Sequence, residues 1–123
     1  MKRHLWLLAI VLALATTASA RAADITGKWT ATFDTQIGVQ NYTYEFDVKD
    51  GKLTGKAKST NGESALAEGK VDGDKVSFVE NLNFQGNEIR ITYTGTIVSA
   101  DEIKFTRNVA DFATEELVAK RSK

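Results

Sequence analysis

The sequence predicts an all-β protein of about eight antiparallel strands closed into an up-and-down barrel. Three observations carry that expectation. After residue 20, apolar and polar residues alternate almost throughout, the two-residue period of strands that bury one face. Turn-forming dipeptides recur at short intervals between the alternating runs. No segment beyond the first twenty residues carries a helical period. Short links between consecutive strands favour a meander, and eight such strands lose their open edges most economically by closing on themselves. A two-sheet β-sandwich is the alternative.

From the N-terminus, residues 1–20 read as a secretory signal peptide. Lys2, Arg3 and His4 form a basic start, Leu5 to Ala15 is an unbroken apolar run, and Ala18-Ser19-Ala20 is a small-x-small cleavage site. Eleven helical residues span only about 16 Å, too little for a hydrocarbon core of roughly 30 Å, so no membrane span is expected in the mature form. Export to the periplasm or beyond follows as an expectation. Cleavage near Ala20 leaves residues 21–123, a length that suits one domain. Removing Lys2 and Arg3 leaves 14 basic side chains against 16 acidic ones, a formal charge of −2. The two signs are interspersed, which argues against a nucleic-acid or anionic-membrane surface. A monomer is expected. With no cysteine in the chain, stability has to come from a continuous apolar core and a well-paired sheet.

The strands are expected to start near Lys28, Tyr42, Leu53, Ser64, Val76, Glu88, Ile103 and Glu115. Trp29, Ala31 and Phe33 share one face of the first, and Tyr42, Tyr44, Phe46 and Val48 one face of the second. Ile89, Ile91, Tyr93, Gly95 and Ile97 oppose Arg90 and a run of threonines in the sixth. Val48 to Leu53, Val71 to Val76 and Val98 to Ile103 each set four turn-forming residues between two apolar ones. Asp50-Gly51, Asp72-Gly73, Asn61-Gly62 and Gln85-Gly86-Asn87 supply the reversals. Residues 35–40 and 108–114 are read as the two longest connections.

Gly27-Lys28-Trp29 at the start of the first strand and Lys120-Arg121 at the end of the last resemble the calycin group of barrels, lipocalins and avidins among them. The resemblance implies that Trp29 closes one barrel end under Arg121, with Lys120 as the alternative partner. Trp29 is the only tryptophan after residue 20, so the indole-lined biotin site of avidins is not implied. The run Asp24 to Trp29, the Asp50 to Gly55 turn and the ending Leu117 to Arg121 are similar to small exported bacterial β-domains. Some of these are appended to secreted carbohydrate-active hydrolases, which implies a glycan-related setting.

The chemistry is bounded by what is missing. The one histidine, His4, lies in the signal peptide, and cysteine is absent, so the usual neutral-pH nucleophiles, bases and soft-metal ligands are lacking. No serine sits in a Gly-x-Ser-x-Gly elbow. Asp72-Gly73-Asp74 lacks the remaining ligands of a calcium loop and reads as a hairpin turn. Sixteen acids guarantee some carboxylate pair by chance, so a two-carboxylate hydrolase has no support in the sequence. No enzyme activity and no cofactor are expected.

Parity singles out three charges on apolar faces: Glu80 follows Val76 and Phe78, Arg107 follows Ile103 and Phe105, and Glu115 precedes Leu117. Either they form a charged network at a barrel mouth or they face water at strand ends. In the first case they would orient a polar group of a ligand whose body rests on Tyr42, Tyr44, Phe78 and Tyr93, with Phe112 as a lid. The expected function is a non-catalytic binding module for a small apolar or amphipathic molecule or a glycan segment. The alternative is an accessory domain whose outer surface contacts a secreted hydrolase or an envelope component.

Overall fold

The structure, a computed structural model, describes residues 24–60 and 62–122. The signal peptide with its cleavage site, and Asn61 of the Asn61-Gly62 reversal, lie outside the described residues. Eight antiparallel strands close into one barrel in sequence order. They are β1 (Gly27–Thr35), β2 (Gly38–Lys49), β3 (Lys52–Ser59), β4 (Gly62–Asp72), β5 (Lys75–Phe84), β6 (Asn87–Ser99), β7 (Glu102–Val109) and β8 (Ala113–Arg121). Every neighbouring pair is antiparallel. The barrel expectation therefore holds over the sandwich.

This meander puts four turns at the upper pole and three at the lower, where the chain ends also lie. The β1–β2, β3–β4, β5–β6 and β7–β8 turns share the upper pole. The expected connections at 35–40 and 108–114 thus do meet at one end, but both are shorter than read from sequence. The first is a two-residue turn at 36–37, because β2 begins at Gly38 rather than near Tyr42. Thr35 builds that turn from its side chain: its Oγ1 accepts from Ile37 N–H at 3.1 Å and donates to Gly38 O at 2.8 Å. The second is a three-residue turn at 110–112, with Ala110 and Asp111 both in left-handed backbone. Asn108 Oδ1 secures it by accepting from Asp111 N–H at 2.9 Å.

Inward-facing residues fill the barrel from the lower pole upward. Trp29, Tyr44, Phe46, Phe78, Tyr93 and Phe105 form one buried aromatic cluster, with Phe78 stacked on Tyr93 at 4.4 Å between ring centroids. Offset and edge-on ring contacts of this kind add to what area burial alone contributes. Gly95 makes room for the cluster, since a Cβ there would overlap Cδ1 of Phe105.

The lower pole is closed as the resemblance implied. Trp29 is fully buried and its indole N–H donates to Ile25 O at 2.9 Å. The Arg121 guanidinium lies 4.6 Å from the Trp29 ring centroid, within cation–π range. It also donates to the carbonyls of Ala100, Thr26 and Asp24 at 2.9 to 3.0 Å. Gly27 lets it approach, because a Cβ there would stand 3.0 Å from Arg121 Nη1. Lys120 instead points outward to Glu102 at 3.4 Å. The β1–β8 closure is short, pairing Trp29 with Arg121 and Thr30 with Lys120, extended by Ser122 N–H to Lys28 O at 2.8 Å.

Candidate functional site

Above the aromatic cluster lies a layer of polar groups, and the parity argument from sequence identifies its charged members. Glu80 and Arg107 are 1% and 4% exposed, so they face inward rather than fraying into water. Tyr42 and Tyr44 project from β2, Glu80 from β5, Tyr93 from β6, Arg107 from β7 and Glu115 from β8. No register shift interrupts β5 against β6 or the part of β7 that carries Arg107, which is why counting by twos reached the right side chains.

The hydrogen bonds form one closed network. Tyr42 and Tyr93 hydroxyls donate to the two Glu80 carboxylate oxygens at 2.9 and 2.8 Å. Arg107 Nε donates to Tyr93 Oη and Nη2 to Tyr42 Oη, each at 2.9 Å. Tyr93 spends its one proton on Glu80, so the 2.9 Å contact with Tyr44 Oη is donated by Tyr44. Arg107 Nη1 donates to Glu115 Oε1, and Nη2 lies 3.7 Å from Glu80. The guanidinium also sits 5.1, 5.0 and 5.6 Å from the Phe33, Tyr42 and Tyr93 ring centroids. Buried charges require this degree of pairing.

Burial pushes the Glu80 carboxyl above the usual range, while Arg107 and the two tyrosine hydroxyls pull it back. Burial, and then the Glu80 charge, raise the Tyr42 phenol; burial raises Tyr44 and Tyr93 as well. For Arg107 burial works against the charge, but the surrounding tyrosine and Glu80 oxygens outweigh it and hold the group protonated. The hydroxyls of Tyr42 and Tyr93 and both Glu80 carboxylate oxygens are engaged within the layer. Among the described residues, no three carboxylate or imidazole groups gather as metal ligands would.

Over this layer the upper pole opens into a cup of about 190 Å³. Its floor carries Tyr42, Arg107 and Glu115, with Gln40 beside them, and its walls are Leu82, Phe84, Ile89, Ile91 and Val109. Ile37 and Phe112 form the rim and are 58% and 83% exposed. Of the residues singled out from sequence, Tyr42, Arg107, Glu115 and Phe112 line the cup. Glu80, Tyr44, Tyr93 and Phe78 do not: they lie beneath the floor, where Tyr44 and Tyr93 are fully packed. The ligand body therefore cannot rest on Tyr44, Phe78 and Tyr93, because those rings are already covered by one another. Nothing in the sequence sets the aliphatic walls apart as a site, because their parity is that of any core residue.

A second concavity, wide and shallow, runs over the outside of β4 to β8 and onto β1. It is about 1200 Å³, and its lining includes four threonines, three lysines and three acids.

No protein-family model matches the sequence, and no curated protein does. Solved structures of redesigned β-barrels do match. One superposes with a TM-score of 0.61 at 13% identity, over 85% of this chain and 99% of its own. A second, mFAP1 bound to DFHBI, gives 0.61 at 14% identity over 83% and 100%. A third, EF1p2_mFAP2b bound to DFHBI, gives 0.59 at 16% identity over 85% and 98%. At these identities the likeness is one of fold, a closed eight-stranded antiparallel barrel.

Proposed function

We propose that this protein is an exported, non-catalytic carrier that holds a small apolar or amphipathic molecule in the upper cup. The observation that carries the reading is the cup itself, an aliphatic cavity over a charged floor with exposed Ile37 and Phe112 at its rim. An eight-stranded barrel is wide enough to be filled by its own side chains or to hold one small ligand, and here the filling stops at the Tyr42–Arg107 layer. That two barrels of this fold were solved bound to DFHBI supports the same use of the fold. A glycan segment suits the cup poorly, since its hydroxyls would face aliphatic walls. The non-catalytic reading rests on the lack of cysteine and of any histidine after residue 20, and export rests on the N-terminal signal.

Native mass spectrometry of protein purified gently from its export compartment tests the reading. A reproducible extra mass is expected on the wild type and should vanish in Ile89→Trp, which fills the cup from its wall. A clean apo mass, unshifted by panels of small apolar molecules, sinks the carrier. It would favour the second reading, in which the outer threonine-lined trough contacts a secreted or envelope partner. Determining the mature N-terminus from cell fractions tests export: a start after Ala20 or Ala22 is expected, and an intact Met1 would overturn it.

A further inference from the structure

The charges at the cup floor restrict what the cup accepts, and the restriction rests on the carrier reading. Arg107 is the only cation among the lining residues and Glu115 the only anion. The guanidinium is already engaged on every edge: Nε with Tyr93, Nη2 with Tyr42 and, at 3.7 Å, Glu80, and Nη1 with Glu115. With both glutamates ionised the floor carries one net negative charge, and with Glu80 protonated it carries none. In neither state does an uncompensated positive charge face the cavity.

Glu115 therefore occupies the place from which a ligand carboxylate would address Arg107. Its side chain is 10% exposed. One carboxylate oxygen is held by Arg107, and the other has no partner among the described residues. A buried acceptor without a donor calls for a ligand that brings one. Size sets the second limit, because a cavity of about 150 Å³ is known to suit one benzene ring and this cup measures about 190 Å³. Long acyl chains do not fit.

We infer that the cup selects a single-ring or short-chain uncharged molecule whose hydroxyl or amide head donates to Glu115, and that it rejects carboxylates of the same skeleton. An anion would have to displace Glu115 from Arg107 or sit against it with like charge in a water-poor site, a repulsive element that discriminates as strongly as any attraction. An ammonium gains the acceptor but loses its hydration against aliphatic walls.

Calorimetric titration of the whole protein with 2-phenylethanol, ethylbenzene, 2-phenylethylammonium and phenylacetate tests this order. The alcohol is expected to bind tightest, ethylbenzene about tenfold weaker for the missing hydrogen bond, and phenylacetate about a hundredfold weaker or worse. In Glu115→Gln the phenylacetate deficit should shrink by about tenfold, since Arg107 then faces the cup with its charge uncovered. Phenylacetate within about threefold of the alcohol on the wild type overturns the inference, as does an ammonium that binds tightest. The wild-type order decides the matter even where Glu115→Gln does not fold. Ethylbenzene binding with the wrong head-group order overturns the selectivity alone. No binding by any of the four, into the millimolar range, takes the carrier reading down with it.

Discussion

The hydroxyl of Tyr93 is the hub of the polar layer, and removing it should cost far more than removing its neighbours' hydroxyls. Tyr93→Phe keeps the ring, its stack on Phe78 and its edge contacts to Tyr44 and Phe105. It deletes one oxygen that donates to Glu80 at 2.8 Å and accepts from Arg107 and Tyr44 at 2.9 Å. Two of those bonds involve charged partners, each worth about 1.5–3 kcal/mol when the partner is left buried and unpaired. Arg107 Nη2, 3.7 Å from Glu80, can close in and recover part of the loss. The expected destabilisation is about 3–4 kcal/mol, a drop in Tm of roughly 12 °C or more for a domain of this size. Tyr44→Phe loses one neutral bond and should cost about 1 kcal/mol. Tyr42→Phe loses bonds to Glu80 and Arg107, but at the cup floor water can replace them, and about 1–2 kcal/mol is expected. Urea unfolding followed by circular dichroism gives the three values. In addition, the Tyr44→Phe/Tyr93→Phe double variant should match Tyr93→Phe to within about 0.5 kcal/mol, since the second hydroxyl has nothing left to bond. Equal costs for Tyr44→Phe and Tyr93→Phe would refute the hub.

Gly95→Ala should destabilise by about 1–3 kcal/mol in the same assay, because the new methyl overlaps the Phe105 ring and the adjacent carbonyl of Lys104 allows no retreat; a neutral result would mean the ring is free to move. Arg121→Met keeps cover over Trp29 but abandons three backbone carbonyls, and a loss of about 2–4 kcal/mol is expected from unfolding curves, with Arg121→Lys recovering less than half. The Glu80 carboxyl sits above its ordinary value of 4.5, so the native state holds that proton more tightly than the unfolded chain. Its contribution to stability is then present at low pH and falls as pH rises from about 4.5 through the native pKa. The stability of the wild type relative to Glu80→Gln should accordingly be greater at pH 4 than at pH 8 (about, in buffers of equal ionic strength), and the opposite trend would reverse the sign of the shift.

Much of the barrel was legible because its physics is local. Alternation placed Trp29, Phe46, Phe78 and Phe105 inward, and the Asp-Gly dipeptides at 50–51 and 72–73 located two lower turns. Parity counting reached Glu80 and Arg107 because the bulges fall elsewhere, between Leu53 and Lys56, Ala67 and Lys70, and Ile97 and Ser99. Two of the upper turns, β1–β2 and β7–β8, were harder to read. Ala110 and Asp111 adopt positive φ without a glycine, and the 36–37 turn is shaped by a threonine side chain rather than a turn dipeptide. Both strand pairs consequently run further up the barrel than expected. That extra height carries Ile37 and Val109 up beside Leu82 and Ile89 of β5 and β6 and makes a cup, a consequence of turn length that no single residue announces. The separation of Tyr44 and Tyr93 from the cup was equally hidden, since alternation gives the face of a side chain but not its depth along the axis.

The Arg121 clasp gives the barrel a direction of mechanical weakness. Both described ends leave the lower pole from adjacent antiparallel strands, so tension applied through them opens the β1–β8 seam by peeling, one bond after another, rather than by shearing many at once. Ser122 to Lys28 lies at that front, followed by the pairs Trp29–Arg121 and Thr30–Lys120. The three carbonyl bonds of Arg121 stand across the same front. Resistance to a pull on the chain ends is therefore concentrated in one side chain, while the cup at the far pole feels no load until that side chain lets go.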